Sequence, residues 1–310
     1  MSRASSESGW QAQTERGSPL GMAIVVWTAL RCGRAPVRVL LAGIVFYYTL
    51  FSPAARRASR SFLARTQSTP VTFWQIYRHF FCFAQVTVDR LFFLSGRNRD
   101  FDVVVHGNSV IDAHIRSGQG CLLLMSHLGS FDVLRAAGRD RKNTRARVLM
   151  DRDHAKKAMA LLQAVNPDMA QDIIDVEQPP AQLMLSLQEA LTSGQFVGVM
   201  ADRVHRSERV YRQTFMGSPV QLPEGLWQMA AALKIPVVAG FGVYQGTSAG
   251  KARYEIFFHA IADSTEVERK ERKEWMQSAQ RVYVDTLESM AQAYPYNWFN
   301  FYDYWKLDES

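Results

Sequence analysis

Cys121-Leu122-Leu123-Leu124-Met125-Ser126-His127-Leu128-Gly129-Ser130-Phe131-Asp132 is the stretch on which the reading of this chain turns. Its apolar run, bounded by Gly120 and Ser126, is the pattern of a strand covered on both faces. Gly129 marks a turn, and Ser130 is a residue type that caps a helix N-terminus. Asp132 then falls in a first helical turn, where the helix dipole favours a carboxylate. Open α/β sheets build their sites where a strand's carboxyl end meets a helix N-terminus, and His127 falls there. The expectation is that Asp132 folds back onto one imidazole nitrogen and leaves the other as an oriented base. An unperturbed histidine titrates near ~6.5, which suits proton removal from an attacking hydroxyl. The amides of Gly129 and Ser130 are expected to hold an anionic oxygen. A structural histidine beside a dipole-stabilised carboxylate has the same spacing, so the motif alone leaves that alternative open.

Outward from this stretch the chain alternates between short apolar runs and amphipathic segments. Strands are expected at 101–105, 121–125, 147–150, 173–176, 196–200, 236–243 and 253–258. Helices are expected from Ser130, over 153–165, 179–192 and 224–233, and over a long stretch from Glu266 to Ala293. Asn108 is a candidate cap for a further helix after the first strand. This alternation predicts an α/β fold with a mostly parallel sheet flanked by helices.

The N-terminal side has a different texture. No acidic residue occurs between Glu15 and Asp89, while Arg16, Arg31, Arg34, Arg38, Arg56, Arg57, Arg60, Arg65 and Arg78 do. The apolar stretches Leu20–Leu30 and Val37–Phe51 are interleaved with this charge, and each falls short of the ~20 residues that span a bilayer. A basic segment threaded with apolar runs points to an anionic membrane surface rather than to nucleic acid. The reading is an interfacial helical pair, with one tilted span over 35–51 and a helical pair buried on the domain itself as the alternatives. Pro53 opens a second basic helix to about Thr66. Phe73, Ile76, Tyr77, Phe80, Phe81, Ala84 and Val88 recur at helical spacing. The organisation expected is a polar arm at 1–19, a helical membrane-associated region at 20–97 and a catalytic α/β domain at 98–310.

Composition narrows the classes further. The 310 residues carry a net charge of +7 and are 47% hydrophobic, so a packed core with an acidic partner is expected. The three cysteines, Cys32, Cys82 and Cys121, are scattered and make neither a disulfide framework nor a zinc knuckle. Asp151, Asp153 and His154 crowd together without metal-ligand spacing, so no metal and no cofactor are assigned. Gly246-Thr247-Ser248-Ala249-Gly250 matches the hydrolase elbow G-x-S-x-G, but it joins two strands where the elbow needs strand, serine and helix. It reads as a hairpin turn.

Further blocks carry a resemblance. His127 and Asp132 form His-x4-Asp after an apolar strand, the signature of the lysophospholipid acyltransferase superfamily. Phe196-Val197-Gly198-Val199-Met200-Ala201-Asp202-Arg203, Phe215-Met216-Gly217-Ser218-Pro219, Lys234-Ile235-Pro236-Val237-Val238 and Pro295-Tyr296-Asn297-Trp298-Phe299-Asn300-Phe301 follow in order. Together they resemble the bacterial lipid A lauroyl/myristoyl acyltransferase family over residues 10–305. Trp10 with Glu15-Arg16-Gly17-Ser18 is similar to a subgroup found near aryl polyene pigment genes. The resemblance implies a glycerol-3-phosphate acyltransferase-like sheet, His127 as base, Asp132 as its partner, and no covalent acyl-enzyme. It implies that Asp202 and Arg203 contact the acceptor or its phosphate, with Arg152 a further candidate of the same kind. The family often carries Glu where this chain has Asp132.

The function expected is transfer of a fatty-acyl group from acyl carrier protein or acyl-CoA to a hydroxyl or amine of a membrane-held lipid or glycolipid. The expected place is the cytoplasmic face of a bacterial inner membrane. Arg135, Arg139, Arg141, Lys142, Arg145 and Arg147 are read as a docking patch for an acidic carrier. The rival readings are a serine hydrolase or thioesterase, which needs an essential serine, and a membrane-binding adaptor without turnover.

Overall fold

The computed structural model describes residues 19–139, 146–151, 172–204, 209–248 and 250–306. Four helices come first: α1 (Pro19–Cys32), α2 (Arg34–Phe51), α3 (Pro53–Thr66) and α4 (Phe73–Leu94). Gly33, at φ 84°, separates α1 from α2, and Pro53 occupies the first turn of α3, where its missing N–H costs nothing. The Thr72 side chain and Gln75 form a reciprocal capping box that starts α4.

Helix α2 buries one stripe, Val37, Leu41, Val45 and Thr49, at four-residue steps. Its other side leaves Val39, Ile44, Phe46, Tyr47, Leu50 and Phe51 exposed. It is the one helix among the described residues long and apolar enough to cross a membrane. Helix α4 is packed on more of its circumference than its aromatic stripe suggests. Beside Ile76, Phe80 and Val88 it buries His79, Cys82, Gln85, Val86 and Asp89.

The main sheet is built from β1 (Phe101–His106), β2 (Leu122–Met125), β3 (Ala146–Met150), β4 (Ile173–Asp175), β5 (Phe196–Met200), β8 (Pro236–Ser248) and β9 (Lys251–Asp263). Its order is β1-β9-β8-β2-β5-β3-β4. All neighbours run parallel except β8 and β9, which form a long antiparallel hairpin. The mixed, mostly parallel sheet agrees with the expectation. Ser248 ends β8 exposed at that hairpin, with no helix behind it, so the elbow geometry is absent. A separate two-stranded sheet, β6 (Val210–Phe215) with β7 (Ser218–Pro223), turns through Met216 and Gly217; the sequence reading had no strands there.

Helices α5 (Asn108–Ser117), α6 (Phe131–Arg139), α7 (Pro180–Thr192), α8 (Gly225–Leu233) and α9 (Arg272–Ala293) cover the sheet. The expected capping by Asn108 is replaced by Gly107, left-handed at φ 74°. A side chain there would collide with the Phe258 carbonyl oxygen. The helix expected over 153–165 lies outside the described residues.

The unbroken apolar run of β2 follows from its central place. Leu122 and Leu124 point into one core, with α3, α7, α8 and α9 residues such as Phe62, Leu187, Trp227 and Tyr283. Leu123 and Met125 point into the other, with Val133 and Leu134 of α6 and Ile111 of α5. Residues of α2 and α4 enter both cores, so the N-terminal helices pack directly on the sheet.

Candidate active site

Strands β2 and β5 are parallel neighbours with Met125 opposite Met200. The chain keeps this step beyond the strands, where the Ala201 amide donates to the Met125 carbonyl at 2.8 Å. His127 and Asp202, each two residues past the paired methionines, therefore arrive side by side.

His127 Nδ1 lies 3.0 Å from Asp202 Oδ1 and 3.2 Å from Oδ2, and the His127 backbone N–H donates to Oδ2 at 2.9 Å. Asn300 Nδ2 donates to the same Oδ2 at 2.9 Å. The Asp202 side chain is fully buried, and burial alone would disfavour its charge. His127, Arg203 and Asn300 outweigh that and hold its pKa down to about 2. For His127 burial dominates and lowers the pKa below its ordinary value, with Asp202 opposing and Arg203 assisting. The pair at neutral pH is then a carboxylate beside a neutral imidazole. A carboxylate only accepts, so Nδ1 carries the hydrogen and Nε2 carries the lone pair. Nε2 has no hydrogen-bond partner among the described residues, and the ring is 29% exposed.

Asp132 does not meet His127. It is buried in the first turn of α6, with Oδ2 3.3 Å from Arg90 Nε of α4 and Oδ1 unbonded. Burial raises its pKa, while Arg90 and Arg135 oppose. Arg90 also lies over the Phe131 ring, 5.3 Å from its centroid. The carboxylate that orients His127 is Asp202, and Asp132 joins α6 to α4. The physical reason is direction: the turn through Gly129 carries the chain away over β8, not back over the imidazole.

That turn also corrects the expected oxyanion donors. The Gly129 amide donates to the Asn297 carbonyl at 2.8 Å, and the Ser130 amide to the Gly242 carbonyl at 2.7 Å. Both N–H groups are committed within the fold. Gly129 sits at φ 78°, and a Cβ there would lie 2.1 Å from the Gly242 oxygen, so only glycine lets the turn cross β8 this closely.

Arg203 points inward. Its Nε donates to Asn300 Oδ1 at 2.7 Å, another nitrogen reaches the Phe299 carbonyl at 3.3 Å, and its guanidinium lies over Tyr302. The donors expected to face an acceptor phosphate thus hold the site together. Arg152 lies outside the described residues, as do 141–145 of the expected carrier patch. Arg135, also expected in that patch, is buried and ion-paired with Asp172 at 3.7 Å.

The C-terminal segment closes the site, and sequence reasoning gave it no chemical role. Phe299 N–H donates to the His127 carbonyl at 2.7 Å, and the Tyr304 hydroxyl to the Asp202 carbonyl at 2.8 Å. Asn297 exchanges two hydrogen bonds with the Tyr244 backbone. Trp298 stacks on Phe62 of α3, and its carbonyl is held by His79 Nε2 of α4. One signal existed: Ser126-His127 and Ala201-Asp202 stand at equal offsets from two similar apolar runs. Only adjacency of those runs gives it meaning.

An apolar cavity is lined by Leu123, Met125, Phe131, Leu134, Phe196 and Gly198, among others, while His127 and Asp202 are not part of its lining. It reaches Met125, two residues before His127, and Phe131, four after it.

No curated protein shows significant similarity to the chain. The family model of the bacterial lipid A biosynthesis acyltransferases matches residues 81–307, from the middle of α4 through the closing segment. The match takes in β2, β5 and the turns that bring His127 to Asp202, and it covers most of the sequence: this chain belongs to the bacterial lipid A biosynthesis acyltransferase family and is an acyltransferase.

Proposed function

We propose that His127 acts as general base, oriented by Asp202, in transfer of a fatty-acyl group from a carrier thioester to a hydroxyl or amine of a membrane-held lipid or glycolipid. The observation that carries this reading is the contact of His127 Nδ1 with the buried Asp202 carboxylate, 3.0 Å from Oδ1. An ionised Asp202 accepts a hydrogen bond from Nδ1–H and leaves the Nε2 lone pair without a partner among the described residues. Nε2 takes the proton of the attacking hydroxyl or amine as its oxygen or nitrogen bonds to the thioester carbon. The carbon–sulfur bond then breaks, and the departing thiolate takes the proton back from the imidazolium. A positioned base of this kind contributes roughly 10²–10⁴-fold in rate.

Two features support an acyl-chain donor and a membrane acceptor. The cavity that reaches Met125 and Phe131 has the apolar lining an alkyl chain requires. Trp27, Tyr47, Phe51 and Trp74 are each at least 60% exposed on α1, α2 and α4, in a stretch that is basic and free of acids. Aromatic and cationic side chains together suit the headgroup region of an anionic bilayer. The donor is an acyl carrier protein or acyl-CoA, and docking is to the cytoplasmic face of the inner membrane. The test is thiol release from acyl-CoA and acyl carrier protein, with lipid mass spectrometry of cells with and without the gene to find the acceptor. Loss of turnover in a folded His127→Ala protein is expected; near-normal turnover overturns the mechanism.

A further inference from the structure

We infer that Asn300 is a positioning residue for acyl transfer: its amide, locked between Arg203 and Asp202, keeps the Asp202 carboxylate aimed at His127. The inference rests on His127 being the base.

The amide has one possible orientation. Arginine only donates and a carboxylate only accepts, so Oδ1 faces Arg203 Nε at 2.7 Å and Nδ2 faces Asp202 Oδ2 at 2.9 Å. Asn300 is 2% exposed, so water does not substitute for either bond. The interposed amide also solves a problem of competition. A guanidinium forked directly onto Asp202 would draw both oxygens toward itself, since that pairing is the strongest available to a carboxylate. Routed through Asn300, the positive end of the network reaches Oδ2 alone. Oδ1 stays with His127 Nδ1, 3.0 Å away. The same segment holds the histidine from the other side, because Phe299 N–H donates to the His127 carbonyl. Displacing Asn300 therefore frees the carboxylate and loosens the strand end that carries the base.

Among the described residues, the titratable groups facing the pair are few. Arg203 follows Asp202 in sequence, Tyr302 and Tyr304 come from the closing segment, Tyr283 from α9, and Tyr211 of β6 lies behind them. Burial raises the pKa of each of these tyrosines, so they stay neutral through the working range. Among these groups, Asp202 and Arg203 are the ones whose charge acts on the His127 titration.

The experiment uses the full chain with isotope-labelled histidine. The His127 resonances are assigned with His127→Ala, and thioester turnover is followed across pH. In Asn300→Ala, Asp202 loses a donor and Arg203 its anchor, so the imidazolium gains a less shared carboxylate. The His127 midpoint should rise by about one pH unit, and the acid limb of turnover should move up with it. The turnover rate should fall roughly tenfold or more with KM within about twofold, as for loss of an orienting group. Asn300→Asp keeps the side-chain shape and replaces the donor with a second acceptor; it should show the same direction and guards against a folding defect in the alanine variant. An unmoved midpoint and unmoved turnover in either folded variant overturn the role of Asn300. Continued turnover in His127→Ala would instead remove the base reading, while the titration still decides whether Asn300 positions the pair.

Discussion

Asp202→Asn exchanges one carboxylate oxygen for an NH2 group at nearly constant volume, and the structure says which oxygen changes. Oδ2 accepts two hydrogen bonds, from the His127 backbone N–H and from Asn300 Nδ2, both at 2.9 Å. Oδ1 meets the ring Nδ1 at 3.0 Å. An asparagine keeps its carbonyl oxygen where two donors converge, because the reverse placement sets an NH2 against two N–H groups. The NH2 therefore falls at the Oδ1 position and donates to Nδ1. The imidazole must then carry its hydrogen on Nε2, where the lone pair of the base should be. The same exchange in a serine-protease triad lowers turnover about 10⁴-fold through the wrong tautomer. Here a loss of roughly 10³–10⁴-fold is expected, or about 4–5.5 kcal/mol of transition-state stabilisation. The assay is thiol release from a long-chain acyl thioester, with nitrogen NMR of labelled histidine to identify the protonated ring nitrogen. A folded Asp202→Asn protein with turnover within about threefold of the parent, or with Nδ1 still protonated, would refute the reasoning. Asp132→Asn is the matched control. It loosens the contact with Arg90 but leaves the His127 tautomer unchanged.

Three other outcomes are expected. Burial holds the His127 pKa below its ordinary value, and the neutral ring is the active form in the proposed mechanism. Activity is therefore present above the depressed pKa and lost as pH falls through it, so the acid limb of kcat/KM should centre below ~6.5. A limb centred above that value would contradict the assignment. Gly198 lines the cavity, and a Cβ there would lie 2.8 Å from the flexible end of Met125. Gly198→Val should shift donor preference toward shorter acyl chains, and an unchanged chain-length profile would take the alkyl chain elsewhere. Replacing Trp27, Tyr47, Phe51 and Trp74 by Ser touches no buried side chain. It should reduce co-sedimentation with anionic vesicles roughly tenfold or more, at about 1.5–3 kcal/mol per fully inserted large apolar group, and leave the melting temperature nearly unchanged. Equal pelleting of the variant would move the docking face off these helices.

Much of the architecture could be read from local pattern. The apolar run 121–125 is a central strand because it is flanked on both faces, and that alone makes five consecutive apolar residues favourable. Helices α2, α3 and α4 follow from their spacing and from the breaks at Gly33 and Pro53. The β6–β7 hairpin escaped because its strands, with Arg212, Gln213 and Gln221, are too polar to show alternation.

The site was legible to the point of naming His127, Asp202 and Arg203, though not their relations. A strand-end histidine before a helix with an acid in its first turn invites pairing of neighbours five residues apart, since sequence shows only local distances. Tertiary structure paired residues 75 apart instead, because β2 and β5 are adjacent and in step, and nothing local encodes strand order. The same holds for Arg203, whose direction depends on Asn300 and Phe299, nearly a hundred residues onward. Sequence by itself determined most of the elements, the family and the strand-end position of His127, the proposed base. The partner of that base, the inward turn of Arg203 and the commitment of the Gly129 and Ser130 amides were decided by tertiary structure, because each is a hydrogen bond between segments that meet only when the sheet is assembled.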